Sequence, residues 1–132
     1  MTYDYILLLS RLILGLYFIF SGLTHFFQLN SMAGLVKSKN VPLSSLMVIL
    51  TGILLLIGGL SILLGIYIQI GVLVLTLFFL PVTFVMHDFW RETDPQMKMM
   101  QMINFMKNLA LWAAILALLF IPQPWPFSFN LF

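Results

Sequence analysis

The chain has 132 residues, of which 62% are hydrophobic and only 8% charged, with a net charge of +2 and a mean hydropathy of +1.10. Soluble domains carry about 25% charged residues, so this sequence cannot clothe a separate core in a water-facing surface. That excludes a soluble enzyme and a disordered chain, and six scattered Lys and Arg with no basic stripe exclude a nucleic-acid binder. Cys is absent, which removes disulfides, thiolate nucleophiles and CxxC redox pairs. Electron chemistry would have to come from a bound organic cofactor, a metal on other ligands or a partner.

A hydrocarbon core about 30 Å thick takes about 20 helical residues, and uncharged stretches of that kind occur four times. The first span runs from Tyr5 to Phe27, interrupted by Arg11 and His25. The residues before it lack the basic region of a signal peptide, and the span is too long for one, so it is expected to be retained. A loop from Gln28 to Ser45 follows. Between Lys39 and Asp88 there is no Lys, Arg, Asp or Glu. This stretch accommodates two spans, Leu46 to Leu64 and Ile70 to Met86, divided at Gly65 to Gly71. A second loop, His87 to Met102, contains Asp94-Pro95, which reads as an N-cap followed by Pro at the first helical position. The fourth helix is therefore expected to start at Pro95 and to cross from Ile103 to Ile121. Pro122, Pro124 and Pro126 end it, and Trp125, Phe127 and Phe129, in a tail running to Phe132, suit the membrane interface.

Backbone groups in lipid must be satisfied within the segment, and the roughly ten-residue alternating segments of a barrel do not occur. The fold class is therefore all-α: a single-domain integral membrane four-helix bundle, up-down-up-down. An even number of crossings puts both termini on one face. The loops 28–45 and 87–102 hold Lys37, Lys39, Arg91 and Lys98, against no Lys or Arg in the terminal segments or the Gly65 to Gly71 turn. By the positive-inside rule the loops are cytoplasmic and both termini outside, in the cell inner membrane. The lipid bilayer is the first partner.

Polar residues in or beside lipid are costly and invite a reason. Arg11, Gly15, Gly22 and His25 fall on one stripe of the first helix. Thr76, Leu80, Thr83 and His87 form a stripe on the third, beside Pro81. Asn104, Lys107, Asn108 and Leu111 lie together on the fourth, and Thr51, Gly58 and Gly65 align on the second, where Ser61 and Gly65 make a small-xxx-small pair. Arg11 sits about two turns inside the terminal rim. It can snorkel outward beside Asp4, or clamp an anion or carbonyl inside the bundle.

At the opposite rim, connectivity gathers His25, His87, Asn104, Lys107, Asn108 and Asp88. Two imidazoles, an ammonium and two carboxamides can hold the carbonyls of a quinone headgroup, with His25 or His87 exchanging protons; the bland alternative is a set of interfacial residues bonded to one another and to lipid phosphate. Bis-His haem ligation by His25 and His87 lacks a third cue. Met97, Met99, Met100, Met102 and Met106 offer thioethers, yet Met99, Met102 and Met106 share a face suited to adaptable apolar packing or a partner. No metal or haem is expected. Hydrolase signatures, a P-loop and GxGxxG are lacking.

The segment Arg11-Leu12-Ile13-Leu14-Gly15-Leu16-Tyr17-Phe18-Ile19-Phe20-Ser21-Gly22 resembles the RxxLGxxFxxSG opening of the DoxX family. The resemblance continues through Val41-Pro42, Gly58-Gly59, Leu64-Gly65, His87-Asp88-Phe89-Trp90 and Asn104 to Leu111. It implies a small four-helix membrane protein associated with quinone-linked oxidoreductases and oxidative-stress defence. Many relatives carry a Glu before the Gly-Gly pair and a basic residue after the turn; here Leu55 and Gln69 stand there. A mechanism needing a buried carboxylate in the second span is thereby put in doubt.

Together these features describe a subunit or membrane anchor of an oxidoreductase complex that contacts the quinone pool. Arg11, His25, His87, Asn104, Lys107 and Asn108 are its expected quinone-binding residues. Asp88, Trp90, Arg91 and Asp94 are the expected contacts for a redox protein partner, and a homo-oligomer is the other association in view. No catalytic step is assigned to the chain itself. Two alternatives are a non-catalytic scaffold for soluble redox or stress-defence enzymes, and a small-molecule permease using the polar stripes.

Overall fold

The computed structural model describes residues 1–129. Among them the chain forms α1 (Thr2–Phe27), α2 (Leu29–Ser38), α3 (Ser44–Leu64), α4 (Ile68–Met86) and α5 (Pro95–Ala117), with 3-10 turns at Phe89–Arg91 and Leu118–Phe120 and no strand. Four segments, Thr2–Phe27, Ser44–Leu64, Ile68–Arg91 and Pro95–Phe120, are long and apolar enough to cross a membrane. The expected all-helical membrane bundle is what forms. Its boundaries follow local chemistry: Asp94 caps α5 by accepting from Met97 N at 3.0 Å, with Pro95 in the first helical position. The helices α3 and α4 each start two residues before the expected spans.

Glycine decides how the helices meet. Gly15 and Gly22 are two turns apart on α1, and Gly52 and Gly59 two turns apart on α3, so each pair lies on one face. A Cβ on Gly59 would stand 2.9 Å from Ile19 N and 3.0 Å from Gly15 O, and one on Gly22 would stand 3.0 Å from Gly52 O. The two backbones therefore touch, in the manner of small-residue seams between membrane helices. Gly15 faces Leu63 while Gly52 faces His25, so α1 and α3 run antiparallel. On its other side α3 packs antiparallel to α4, with Gly58 against Leu75 and Gly71 against Ser61. Trp112 Nε1 donates to Thr76 Oγ1 at 3.0 Å and joins α5 to α4.

The α3–α4 turn is short because Gly65 takes a left-handed conformation (φ 73°). Gly65 N and Ile66 N both donate to Ser61 O, at 2.9 and 3.1 Å, as in a glycine-ended helix. Ser61 Oγ in turn donates to Ile66 O at 2.6 Å. The small-xxx-small pair of Ser61 and Gly65 thus shapes a turn as well as a helix contact.

Two expectations are corrected. The segment 28–45 is not a plain loop, because Leu29–Ser38 forms α2. Its apolar Leu29, Met32, Ala33 and Val36 recur at helical spacing and turn inward, while Ser31, Gly34, Lys37 and Ser38 are exposed. Counting membrane-length stretches passes over a helix this short. Trp125, expected at the interface, is only 2% exposed and belongs to the core with Phe18, Ile62, Leu75 and Ile115. Phe127 and Phe129 are exposed as expected; Asn130, Leu131 and Phe132 lie outside the described residues.

The glycine seam is testable by substitution. Gly59→Val is expected to lower the melting temperature of the detergent-solubilised protein by several degrees. Gly34→Ala, whose Cβ would meet nothing within 4 Å, should hold or raise it, since Ala is favoured over Gly in a helix by about 0.5–1 kcal/mol.

Candidate functional site

The polar residues divide between two ends of the bundle. At the end holding the α3–α4 turn and the C-terminal tail, Arg11 is 2% exposed. Its Nε donates to Ile62 O at 3.2 Å, Nη2 to Leu63 O at 2.9 Å and Nη1 to Pro126 O at 2.6 Å. Phe129 N donates to Leu64 O at 3.0 Å. Together with the Ser61 bonds of the turn, these contacts satisfy all four carbonyls that end α3. The guanidinium also stands 5.7 Å from the Trp125 ring centroid, a cation–π distance. Asp4, the expected snorkelling partner, pairs with the N-terminal amine at 3.2 Å instead. The carbonyls that Arg11 clamps are the chain's own.

At the opposite end Lys39 Nζ lies 2.5 Å from Asp88 Oδ1, and Glu92 Oε1 and Arg91 Nε stand within 4 Å of this pair. Asp88 is buried and held by Lys39, while Asp94 caps α5 through one carboxylate oxygen and is itself exposed. The pairing of Lys39 with Asp88 was not anticipated because the two lie far apart along the chain. Trp90 packs edge-on against Phe89 and Phe105 yet stays half exposed, and Arg91 is exposed. Those two and Asp94 lie at the surface.

Between these ends lies a cavity of about 410 Å³. It is walled by α1 (Tyr17, Phe18, Ser21, Thr24 and His25), α3 (Met47, Val48, Thr51 and Leu55), α4 (Phe78, Phe79, Pro81, Val82, Val85 and Met86) and His87 just after it, and covered by Met32, Leu35 and Val36 of α2. Asn108 is its contribution from α5. The volume is in the range of small-molecule sites, and walls this apolar with a few polar groups are what such sites have.

Of the expected binding residues, the cavity brings together His25, His87 and Asn108. His25 Nδ1 donates to Ser21 O at 2.7 Å, and His87 Nδ1 lies 2.8 Å from Gln101 Oε1. Asn108 is 8% exposed, and among the described residues its carboxamide has no hydrogen-bond partner. Arg11, Asn104 and Lys107 are not on the wall. Lys107 is exposed and reaches only Asn104 Oδ1, at 3.5 Å. Adjacent helical residues point 100° apart, so burying Asn108 turns Lys107 away.

The α2 residues and Gln101 were not anticipated as part of the site. Gln101 lies one and two turns before Asn104 and Asn108 on the same stripe, a signal that was present in the sequence. On α4, Thr76 and Thr83 turn inward as expected, but Leu80 is exposed. Thr83 is 1% exposed, and its hydroxyl lacks a partner.

The DoxX sequence profile matches residues 6–88. The chain belongs to the DoxX family. No curated protein and no solved structure matches it. In this DoxX protein every residue of the cavity wall except Asn108 lies in the matched segment. Leu55, standing where the resemblance led one to expect a carboxylate, is a fully buried apolar part of that wall.

Arg11→Leu leaves three carbonyls without their donor and is expected to destabilise the protein by about 3 kcal/mol or more. Arg11→Lys should recover only part of this, because an ammonium lacks the planar fork. Thermal melting in detergent reads both. Thr83→Val removes an unpartnered buried hydroxyl and should raise stability by about 1 kcal/mol; a fall in melting temperature would mean that the hydroxyl has a partner.

Proposed function

We propose that this DoxX protein is the membrane subunit of an oxidoreductase complex and that its cavity holds the headgroup of a membrane quinone. One observation carries this reading: His25, His87 and the unpartnered Asn108 share a single apolar cavity within the bundle. A ligand for such a site must dissolve in lipid, fill apolar space and present a compact polar group to imidazole and carboxamide. A quinone ring meets those requirements. It would supply two-electron, proton-coupled redox chemistry when bound. The chain's own part is to hold and orient the ring through Asn108, to exchange protons at an imidazole and to keep bulk water out. With no Cys, electrons would come from a partner, for which Trp90 and Arg91 offer exposed contacts on the loop side.

Lys37, Lys39 and Arg91 lie on the two connections at that side and Lys98 in the first turn of α5, which supports a cytoplasmic position for it and an outside position for both termini. A reporter fused to the C-terminus is expected to be active only outside the membrane. The ligand is tested by gentle solubilisation and solvent extraction of the purified protein. Near-stoichiometric quinone is expected from the native chain, with at least a five-fold loss in Asn108→Leu and in His87→Ala at unchanged melting temperature. Recovery of neither quinone nor a redox partner with the native protein would overturn the proposal.

A further inference from the structure

We propose that His25 makes the cavity select the reduced, hydroxyl-bearing form of its ligand over the oxidised, carbonyl-bearing form. This rests on the quinone reading above and adds a redox preference to it. His25 Nδ1 bonds Ser21 O at 2.7 Å. A peptide carbonyl can only accept, so Nδ1 carries the proton, and Nε2 of the neutral ring is left as a bare acceptor. No partner for Nε2 exists among the described residues. The ring is also held in place: Phe78 stands edge-on with centroids 6.1 Å apart, and Gly52 abuts its Cβ.

His87 and Asn108 on the same wall are not so constrained. Gln101 can present either its oxygen or its amino group to His87 Nδ1 by turning its carboxamide, so His87 can offer Nε2 as acceptor or donor. Asn108 carries both functions on one side chain. A quinone and its quinol differ by the protons on their two ring oxygens, and His87 and Asn108 can serve either form. His25 cannot. Its Nε2 accepts from a ligand O–H, whereas a ligand carbonyl at the same place would set two acceptors face to face in apolar surroundings and leave Nε2 unpaired.

The test uses a short-tailed benzoquinone, its quinol and the quinol's dimethyl ether. Each is titrated without oxygen into quinone-stripped full-length protein in detergent, at about pH 8, above the ordinary imidazole range. The quinol is expected to bind about ten-fold more tightly than the quinone, and the ether, which lacks O–H groups, should bind no better than the quinone. His25→Phe should abolish the ten-fold difference between quinol and quinone. The ether comparison needs no variant and decides the matter if His25→Phe does not fold. Equal affinities, a tighter quinone or an ether that matches the quinol would overturn the preference while leaving the quinone site standing. Binding of none of the three would overturn the site and the preference together.

Discussion

A helix that ends beside lipid leaves four carbonyls that water cannot readily reach, and each would cost several kcal/mol if unpaired there. At the end of α3 a single arginine closes two of them, the turn closes a third and the C-terminal tail closes the fourth. The rest of the bundle depends on this arrangement. Arg11 comes from α1, so the cap is also a tie between α1 and α3, and its third bond holds Pro126 O of the tail. The cationic group sits at the negative end of the α3 dipole, which offsets part of the cost of removing it from water. The charge is stable there because the carbonyls need it.

Once that end is tied, packing along the helices follows from small residues. The α1–α3 seam brings backbone to backbone at Gly15, Gly22 and Gly59, and α3 turns Gly58 and Ser61 toward α4. The central helix is therefore gripped from two sides. Toward the loop end the same elements line open space, where α2 lies across the mouth and α5 adds only Asn108 to the wall. The buried Lys39–Asp88 pair joins the connection after α2 to the turn after α4. One end of the molecule is thus filled by an arginine, a tryptophan and the tail, and the other retains a chamber whose cover is tied down by charge.

Much of this was legible in the sequence, for a physical reason. Lipid demands long uncharged helices, so their number, approximate limits and up-down order follow from counting, and Asp94-Pro95 marks the start of α5 to the residue. Spacing places Arg11, Gly15 and Gly22 on one stripe, and that stripe is buried because a charged group is costly against acyl chains. What was not legible depends on partners far away along the chain. Nothing near Arg11 reveals that its donors meet carbonyls of α3 and the tail, or that Lys39 will neutralise Asp88. A helical stripe also has a width that sequence spacing does not resolve. Lys107 and Asn108 are neighbours in the chain, yet one faces outward and the other is buried in the cavity wall.

The distribution of satisfied and unsatisfied polar groups separates structural from ligand-binding roles better than residue type does. The residue most suggestive of a ligand site from composition, a buried arginine, has three donors on the chain's own backbone. The hydroxyls of Thr24, Thr51 and Thr76 likewise donate to carbonyls of their own helices. Capacity left over includes the Thr83 hydroxyl and, on residues that line the same cavity, Nε2 of His25 and of His87 and the Asn108 carboxamide. Buried polar groups in an apolar medium are retained at a cost, and internal partners offset that cost at most other positions in the bundle, Thr83 excepted. A polar ligand in the cavity would complete the groups that line it.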